Sequence, residues 1–390
     1  MTETLTADWM AREDLAALVT ALGHDNARYV GGAVRDTLLG QPVKDIDMAT
    51  SLLPEEVMQR LWNADIRHVP TGIEHGTVTA VLPGGPVEIT TLRHDVSTDG
   101  RRATVAFATD WREDAARRDF TINALYADPV TGEIFDWFGG LADLASRRVR
   151  FIGDACQRIR EDHLRILRYF RFQARFGSVP ADAEAESACS ELAPTLKGLS
   201  RERVGMEMMN LLGLPDPAAT VARMAELGVL AVILPEARPE ALAALVAAER
   251  AQGVEPDAIR RLAALLPAQV PLAEQVASRF RLSGAQKKRL AAAAGRSEDA
   301  GDARVLAYRM GIEGALDRVL IAGADAAPLT GWQVPAFPLK GGQIVARGVG
   351  AGPEVARLLR RVEDRWIAEG FPDEARVSAL LDAELAGQTP

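Results

Sequence analysis

Cysteine is nearly absent: Cys156 and Cys189 are the only two in 390 residues. Two thiols exclude a four-cysteine zinc site and a disulfide framework, and they fit a reducing compartment. Histidine is scarce too, and none follows His163. A histidine-built metal hydrolase domain therefore has no place in the C-terminal half. No apolar run has the length a bilayer span needs. The N-terminus, MTETLTADWMARED, is acidic and lacks an apolar signal core. Export is not expected, and a cytoplasmic protein is. Positive charge is not in excess, since the net charge is −9. That balance argues mildly against a nucleic-acid partner, although local clustering matters more than the sum. No internal repeat and no low-complexity tract stands out. What remains is an ordinary globular balance, 48% hydrophobic and 25% charged, over a length that suggests about two to four domains.

One stretch is dense in chemistry: Tyr29 to Thr50, YVGGAVRDTLLGQPVKDIDMAT. Gly31 and Gly32 carry no side chain, so backbone there can approach a ligand. Arg35 offers a forked guanidinium that suits phosphate oxygens. Asp45 and Asp47 flank Ile46, and on a strand from Lys44 to Ala49 both carboxylates face one way. Two carboxylates that close repel each other and call for a cation. The combination describes a site for nucleotide phosphates and Mg²⁺. The alternative is a surface turn followed by a solvated strand.

Around this stretch the pattern predicts a helix over residues 8–24 and a β-hairpin from Thr77 to Leu92, turning at Pro83-Gly84-Gly85-Pro86. Glu88 falls on the second hairpin strand. It is either a third carboxylate facing Asp45 and Asp47 or a surface glutamate. Residues 93–117 are polar and charged and read mostly as a mobile loop. Helical character dominates from Asp119 onward, and 147–175 carries nine arginines. Residues 211–300 are Ala/Leu-rich and show no chemistry.

Four further motifs stand out. In Arg117-Arg118-Asp119-Phe120-Thr121-Ile122-Asn123, Arg118 can take a triphosphate and Asp119 or Asn123 a ribose hydroxyl. A helix start with a solvated arginine pair is the plainer reading. Glu161-Asp162-His163-Leu164-Arg165-Ile166-Leu167-Arg168-Tyr169-Phe170-Arg171 reads as one helix with Asp162 and Arg165 at i, i+3. A carboxylate and a guanidinium there suit a base edge, or else form an exposed salt bridge. In the next helix Glu207 is placed to pair with Arg203 at i, i+4. Near the C-terminus, Gly348, Gly350 and Gly352-Pro353 lead into a helix bearing Arg357, Arg360 and Arg361, either an RNA-backbone contact or an ordinary capped helix.

In this order the motifs resemble the class II tRNA nucleotidyltransferases, the CCA-adding enzymes of the polymerase beta superfamily. The resemblance is specific from about Tyr29 to Arg203 and looser in the tail. It implies an α+β fold with a small β-sheet head carrying catalysis (residues 1–140). An all-helical nucleotide-selecting neck (141–210), a body (211–300) and a tRNA-binding tail (301–390) follow. It implies that Gly32 and Arg35 contact the nucleotide, that Asp45 and Asp47 bind two Mg²⁺ ions, that Arg118 contacts the triphosphate and that Asp119 recognises ribose. It also implies that Asp162, Arg165, Arg168 and Arg171 form an amino-acid template selecting CTP and then ATP for addition to the tRNA 3′ end. The related bacterial poly(A) polymerases carry an arginine-rich segment where this chain has Thr71-Gly72-Ile73-Glu74-His75-Gly76-Thr77-Val78. The length of 93–117, with Asp99-Gly100-Arg101-Arg102, favours full CCA addition over CC-only or A-only activity.

Overall fold

The computed structural model describes residues 4–99, 102–296 and 301–386, and for 94–99 and 102–106 the backbone alone. Helix α1 (Glu13–Leu22) buries Leu15, Leu18, Val19 and Leu22, and Gly23 at φ +83° ends it. Strand β1 (Ala27–Val30) runs into α2 (Gly32–Leu38), followed by β2 (Ile46–Thr50) and α3 (Pro54–Asn63). Three strands come next: β3 (His68–Gly72), β4 (Thr77–Leu82) and β5 (Gly85–Thr91). The hairpin expected at Pro83 is thus present. Then come β6 (Arg93–Asp99), β7 (Arg102–Phe107), α4 (Trp111–Ala116), β8 (Leu125–Ala127) and β9 (Ile134–Asp136).

The main sheet has seven strands in the order β3-β4-β5-β2-β1-β8-β9. Only β2 and β5 pair in parallel, with Asp47 opposite Glu88 and Met48 opposite Ile89. Strand alternation sorts these residues onto two faces. Tyr29, Met48, Val87 and Ile89 join the larger core, while Val30, Ala49 and Tyr126 belong to a second cluster on the opposite face. Asp47 shares the parity of Ala49, which puts both acidic residues on the face of the second cluster.

Two expectations are corrected here. The segment 93–117 is not mainly a loop: β6 and β7 form their own two-stranded sheet, and α4 follows. Gly100 and Arg101 lie outside the described residues. Strand β2 begins at Ile46, so Asp45 stands just before it and is exposed.

After β9 no further strand occurs among the described residues. The helices are α5 (Gly140–Ala145), α6 (Ala155–Glu161), α7 (Arg165–Phe176), α8 (Ala183–Leu192), α9 (Arg201–Leu212), α10 (Ala218–Glu226) and α11 (Val229–Ile233). There follow α12 (Pro239–Ala251), α13 (Ala258–Leu265), α14 (Val270–Arg279), α15 (Gly284–Ala294) and α16 (Ala303–Ile321). Last come α17 (Gly341–Ala346), α18 (Pro353–Ala368) and α19 (Glu374–Ala386). One hydrophobic cluster extends from Leu5 through the sheet and helices to Ala294. A separate one built on Trp366 holds α17, α18 and α19 together.

The single helix expected across Glu161–Arg171 is two. Asp162 takes extended angles (φ −150°, ψ 105°) between α6 and α7. Its carboxylate accepts from the Leu164 N–H at 3.1 Å and its carbonyl from the Arg165 N–H at 3.0 Å. An aspartate that bonds the backbone just ahead of it interrupts one helix and starts the next.

Candidate active site

Gly31 caps α2 at φ +67°, an angle that favours glycine. A Cβ there would come within 3.4 Å of Arg118 Nη1, so the Arg118 guanidinium lies against this turn. Arg118 Nε donates to the Tyr126 hydroxyl at 3.0 Å and Nη2 pairs with Asp114 at 3.4 Å. Asp114 also accepts from the Tyr126 hydroxyl and from Arg117 Nε. It is only 1% exposed. Burial pushes its carboxyl up, but Arg118 and Arg117 outweigh that and hold it below the usual range. Asp114 and Tyr126 therefore aim Arg118. Neither was singled out in the sequence, where Asp114 is one acidic residue in a charged run.

The acidic half of the site is Asp47 on β2 beside Glu88 on β5. Asp47 is half-buried and its carboxyl is raised, first by burial, then by Glu88 and Asp45, with Arg118 opposing. Neighbouring carboxylates raise it because like charges disfavour ionisation, and a cation would relieve that repulsion. The donors are all carboxylate oxygens, the chemistry Mg²⁺ prefers. Among the described residues no three acidic, His or Cys side chains stand as a ready-made metal cluster. The residues fit the ion in kind, then, without being drawn together.

Arg35 turns inward instead. It is 6% exposed, pairs with Asp36 at 2.7 Å, donates to the Asn123 amide oxygen and lies 4.2 Å from the Phe176 ring centroid. Asn123 Nδ2 in turn donates to Asp119 at 2.9 Å. Asp119 accepts also from the Phe120 N–H at 2.9 Å and from Arg168 Nε at 2.8 Å. A polar seam thus runs from α2 through the Arg118-Asn123 segment to α7. Gly32 lies at its α2 end, its Cβ position 3.8 Å from Arg35 Nη2.

The other residues expected to form the template lie on α7 or just before it. Arg165 Nη1 donates to Glu161 at 2.6 Å and Arg171 Nε to Glu207 at 2.6 Å. Asp162 is held by Arg203 at 2.7 Å. The expected Arg203–Glu207 pair does not form. Contacts between α7 and α9 outcompete the pairing along one helix, and both partners reach across. Arg158 of α6 was also missed. It is buried and donates to the carbonyls of Arg117 and Arg118. In the tail, Arg357 pairs with Glu354 at 3.0 Å and Arg361 with Glu384 at 3.0 Å, while Arg360 is exposed.

Residues 27–150 match the family model for the poly A polymerase head domain. Residues 182–240 match the one described as a probable RNA and SrmB-binding site of polymerase A. The mouse mitochondrial CCA tRNA nucleotidyltransferase 1 is 34% identical over 380 residues, covering 92% of this chain and 87% of that protein. The chain belongs to the class II CCA-adding tRNA nucleotidyltransferases. Within that family, the Geobacillus stearothermophilus CCA-adding enzyme is 41% identical over 230 residues, covering 58% of this chain and 55% of its own. The crystal structure of the Bacillus stearothermophilus CCA-adding enzyme in complex with CTP superposes with a TM-score of 0.71 at 27% identity. It covers 96% of this chain and 98% of its own. The α+β architecture of this nucleotidyltransferase, a small sheet followed by helices, is the one the resemblance implied. Among the described residues no helix is long and apolar enough to cross a membrane.

Proposed function

We infer that this nucleotidyltransferase adds CCA to the 3′ end of tRNA, using CTP and ATP and no nucleic-acid template. The observation that carries the reading is the juxtaposition of acids and arginine. Asp47 and Glu88 lie in register on parallel strands, and Arg118 lies against the Gly31 turn that follows β1, the other neighbour of β2. The tRNA 3′-hydroxyl attacks the α-phosphorus of the nucleotide and pyrophosphate leaves. Asp45 and Asp47 would hold Mg²⁺, with Glu88 beside them, and the bound ion supplies charge neutralisation and a lowered pKa for the attacking hydroxyl. Arg118, aimed by Asp114 and Tyr126, takes the triphosphate, with the Gly31-Gly32 backbone close by. Arg35 braces that turn through Asn123. Ribose recognition by Asp119 requires one of its present bonds to open.

Asp162 and Arg165 read the base edge, while Arg168 and Arg171 hold α7 against Asp119 and Glu207. The division of labour follows: 1–140 catalyses, 141–210 selects, 211–300 is scaffold and 301–390 engages tRNA, with Arg357, Arg360 and Arg361 all exposed in the tail. The free thiols Cys156 and Cys189 support a reducing, cytoplasmic setting.

On tRNA lacking its 3′ end, CTP alone is expected to extend the primer by CC and both nucleotides together by CCA. A long ladder from ATP alone would identify a poly(A) polymerase instead, and a stop after CC with both nucleotides a CC-only enzyme. Asp162→Ala should cost about 1–3 kcal/mol of CTP-over-UTP discrimination, the worth of a paired base-edge contact. Unchanged discrimination in primer extension removes Asp162 from the template.

A further inference from the structure

Arg117 closes α4, and carbonyls at a helix C-terminus have no donor within their own helix and carry partial negative charge. The donor here comes from another part of the chain. Arg158, 8% exposed on α6, directs Nη2 to the Arg118 carbonyl at 2.7 Å and to the Arg117 carbonyl, and Nη1 to Glu161. Its own carbonyl accepts from Arg165 Nη1 at 2.8 Å. Arg165 Nη1 also reaches Glu161, and Arg165 Nη2 reaches the Arg117 carbonyl at 3.3 Å. Two guanidiniums, the Glu161 carboxylate and the Arg117 carbonyl thus close a ring, with the Arg118 and Arg158 carbonyls bonded to it. One side of the ring carries the group that reads the base. The other carries the backbone from which Arg118 projects toward the Gly31 turn.

We propose that Arg158 is a positioning residue that couples base choice to the grip on the triphosphate. This rests on the reading of Arg165 and Arg118 given above. Arg165 cannot turn toward a base without loosening its bonds to Glu161 and to the Arg117 carbonyl. Arg158 then holds the Arg117 carbonyl alone, and through its bond to the Arg118 carbonyl it sets where the Arg118 backbone sits. A base that satisfies Asp162 and Arg165 therefore fixes the Arg118 turn in one position. A base that does not leaves Arg165 in the ring and the turn in another. Only a planar fork reaches two adjacent carbonyls and a carboxylate together, and a lysine ammonium cannot copy it.

The test is primer extension on tRNA lacking its 3′ end with CTP or UTP, comparing wild type with Arg158→Lys and Arg158→Gln. Arg158→Lys keeps the charge and Arg158→Gln keeps a donor, so at least one is expected to fold, as circular dichroism checks. Coupling predicts that kcat/KM for CTP falls about tenfold, the effect of one charge-assisted hydrogen bond. The value for UTP should change little, so the CTP-to-UTP ratio falls by the same factor. A purely structural role lowers both nucleotides equally and leaves the ratio unchanged, and that result overturns the proposal. So does an unchanged kcat/KM for CTP. The two readings separate on the wild type. If the unmodified enzyme shows no preference for CTP, the base-reading role of Asp162 and Arg165 fails first.

Discussion

Asp47→Asn is expected to lower nucleotide incorporation by about three orders of magnitude while the protein stays folded. The carboxylate sits on β2 directly opposite Glu88 of β5. Replacing it leaves a neutral amide where a hard cation needs a charged oxygen. Metal charge stabilisation at a phosphoryl group is worth several kcal/mol, and each 1.36 kcal/mol is about tenfold in rate. The same change should not harm the fold. The Asp47 carboxyl is raised by burial and by Glu88 and Asp45. An acid raised in the folded state contributes stability below its unfolded pKa and loses it as pH climbs through the folded value. Once ionised, Asp47 is therefore a net burden on metal-free protein. The asparagine should leave the metal-free unfolding midpoint equal or higher. Primer extension and thermal unfolding on one preparation check both parts. Activity within tenfold of wild type, in a variant that folds, removes Asp47 from the metal site.

The opening strand-turn-helix and the acidic strand were legible because their signals are local. Gly31 requires its positive φ, and the spacing of Asp45 and Asp47 is visible without a fold. The hairpin was legible because β-branched runs bracket Pro83 to Pro86. What the sequence hid depends on partners far along the chain. Strands β6 and β7 pair only with each other. Neither is part of the main sheet, and their residues show no clean alternation to read. Asp162 breaks a run that looks uniformly helical because its side chain captures a backbone N–H. Arg203 and Glu207 have ideal spacing for each other, yet pair with Asp162 and Arg171 on the neighbouring chain segment. Glu88 shows the opposite case: its strand was expected, but only the parallel register puts it against Asp47.

Residues 211–300 read as featureless, and there the hidden content is largest. Arg260 and Arg261 lie side by side on α13, almost completely buried. Glu249 of α12, 2% exposed, accepts from Arg260 Nη1 at 2.7 Å and from Arg261 Nε at 2.8 Å. Asp317 of α16, 0% exposed, takes Arg260 Nε at 3.0 Å and Arg289 Nε at 2.8 Å. Arg261 also donates to the carbonyls of Leu212, Leu214 and Pro215, at and beyond the end of α9. The cluster therefore ties α12, α13, α15 and α16 to the helix whose first turns hold Asp162 and Arg171.

Glu249→Ala should cost about 3–5 kcal/mol of unfolding free energy, because it takes a buried carboxylate from two buried guanidiniums. Arg260 keeps Asp317, so Arg261, left with carbonyl acceptors alone, bears most of the loss. Glu249→Leu combined with Arg261→Met should recover part of it, since a packed apolar pair does not leave that second charge stranded. None of the cluster's bonds reaches Asp47, Arg118 or Arg165. Incorporation per folded molecule is accordingly expected to remain near wild type at low temperature and to collapse at a lower temperature than in the parent. Urea unfolding at 25 °C measures the first effect, and extension rates against temperature the second. A Glu249→Ala protein as stable as wild type would mean that water or the carbonyls beyond α9 compensate Arg261, and the cluster would then not be what anchors α9.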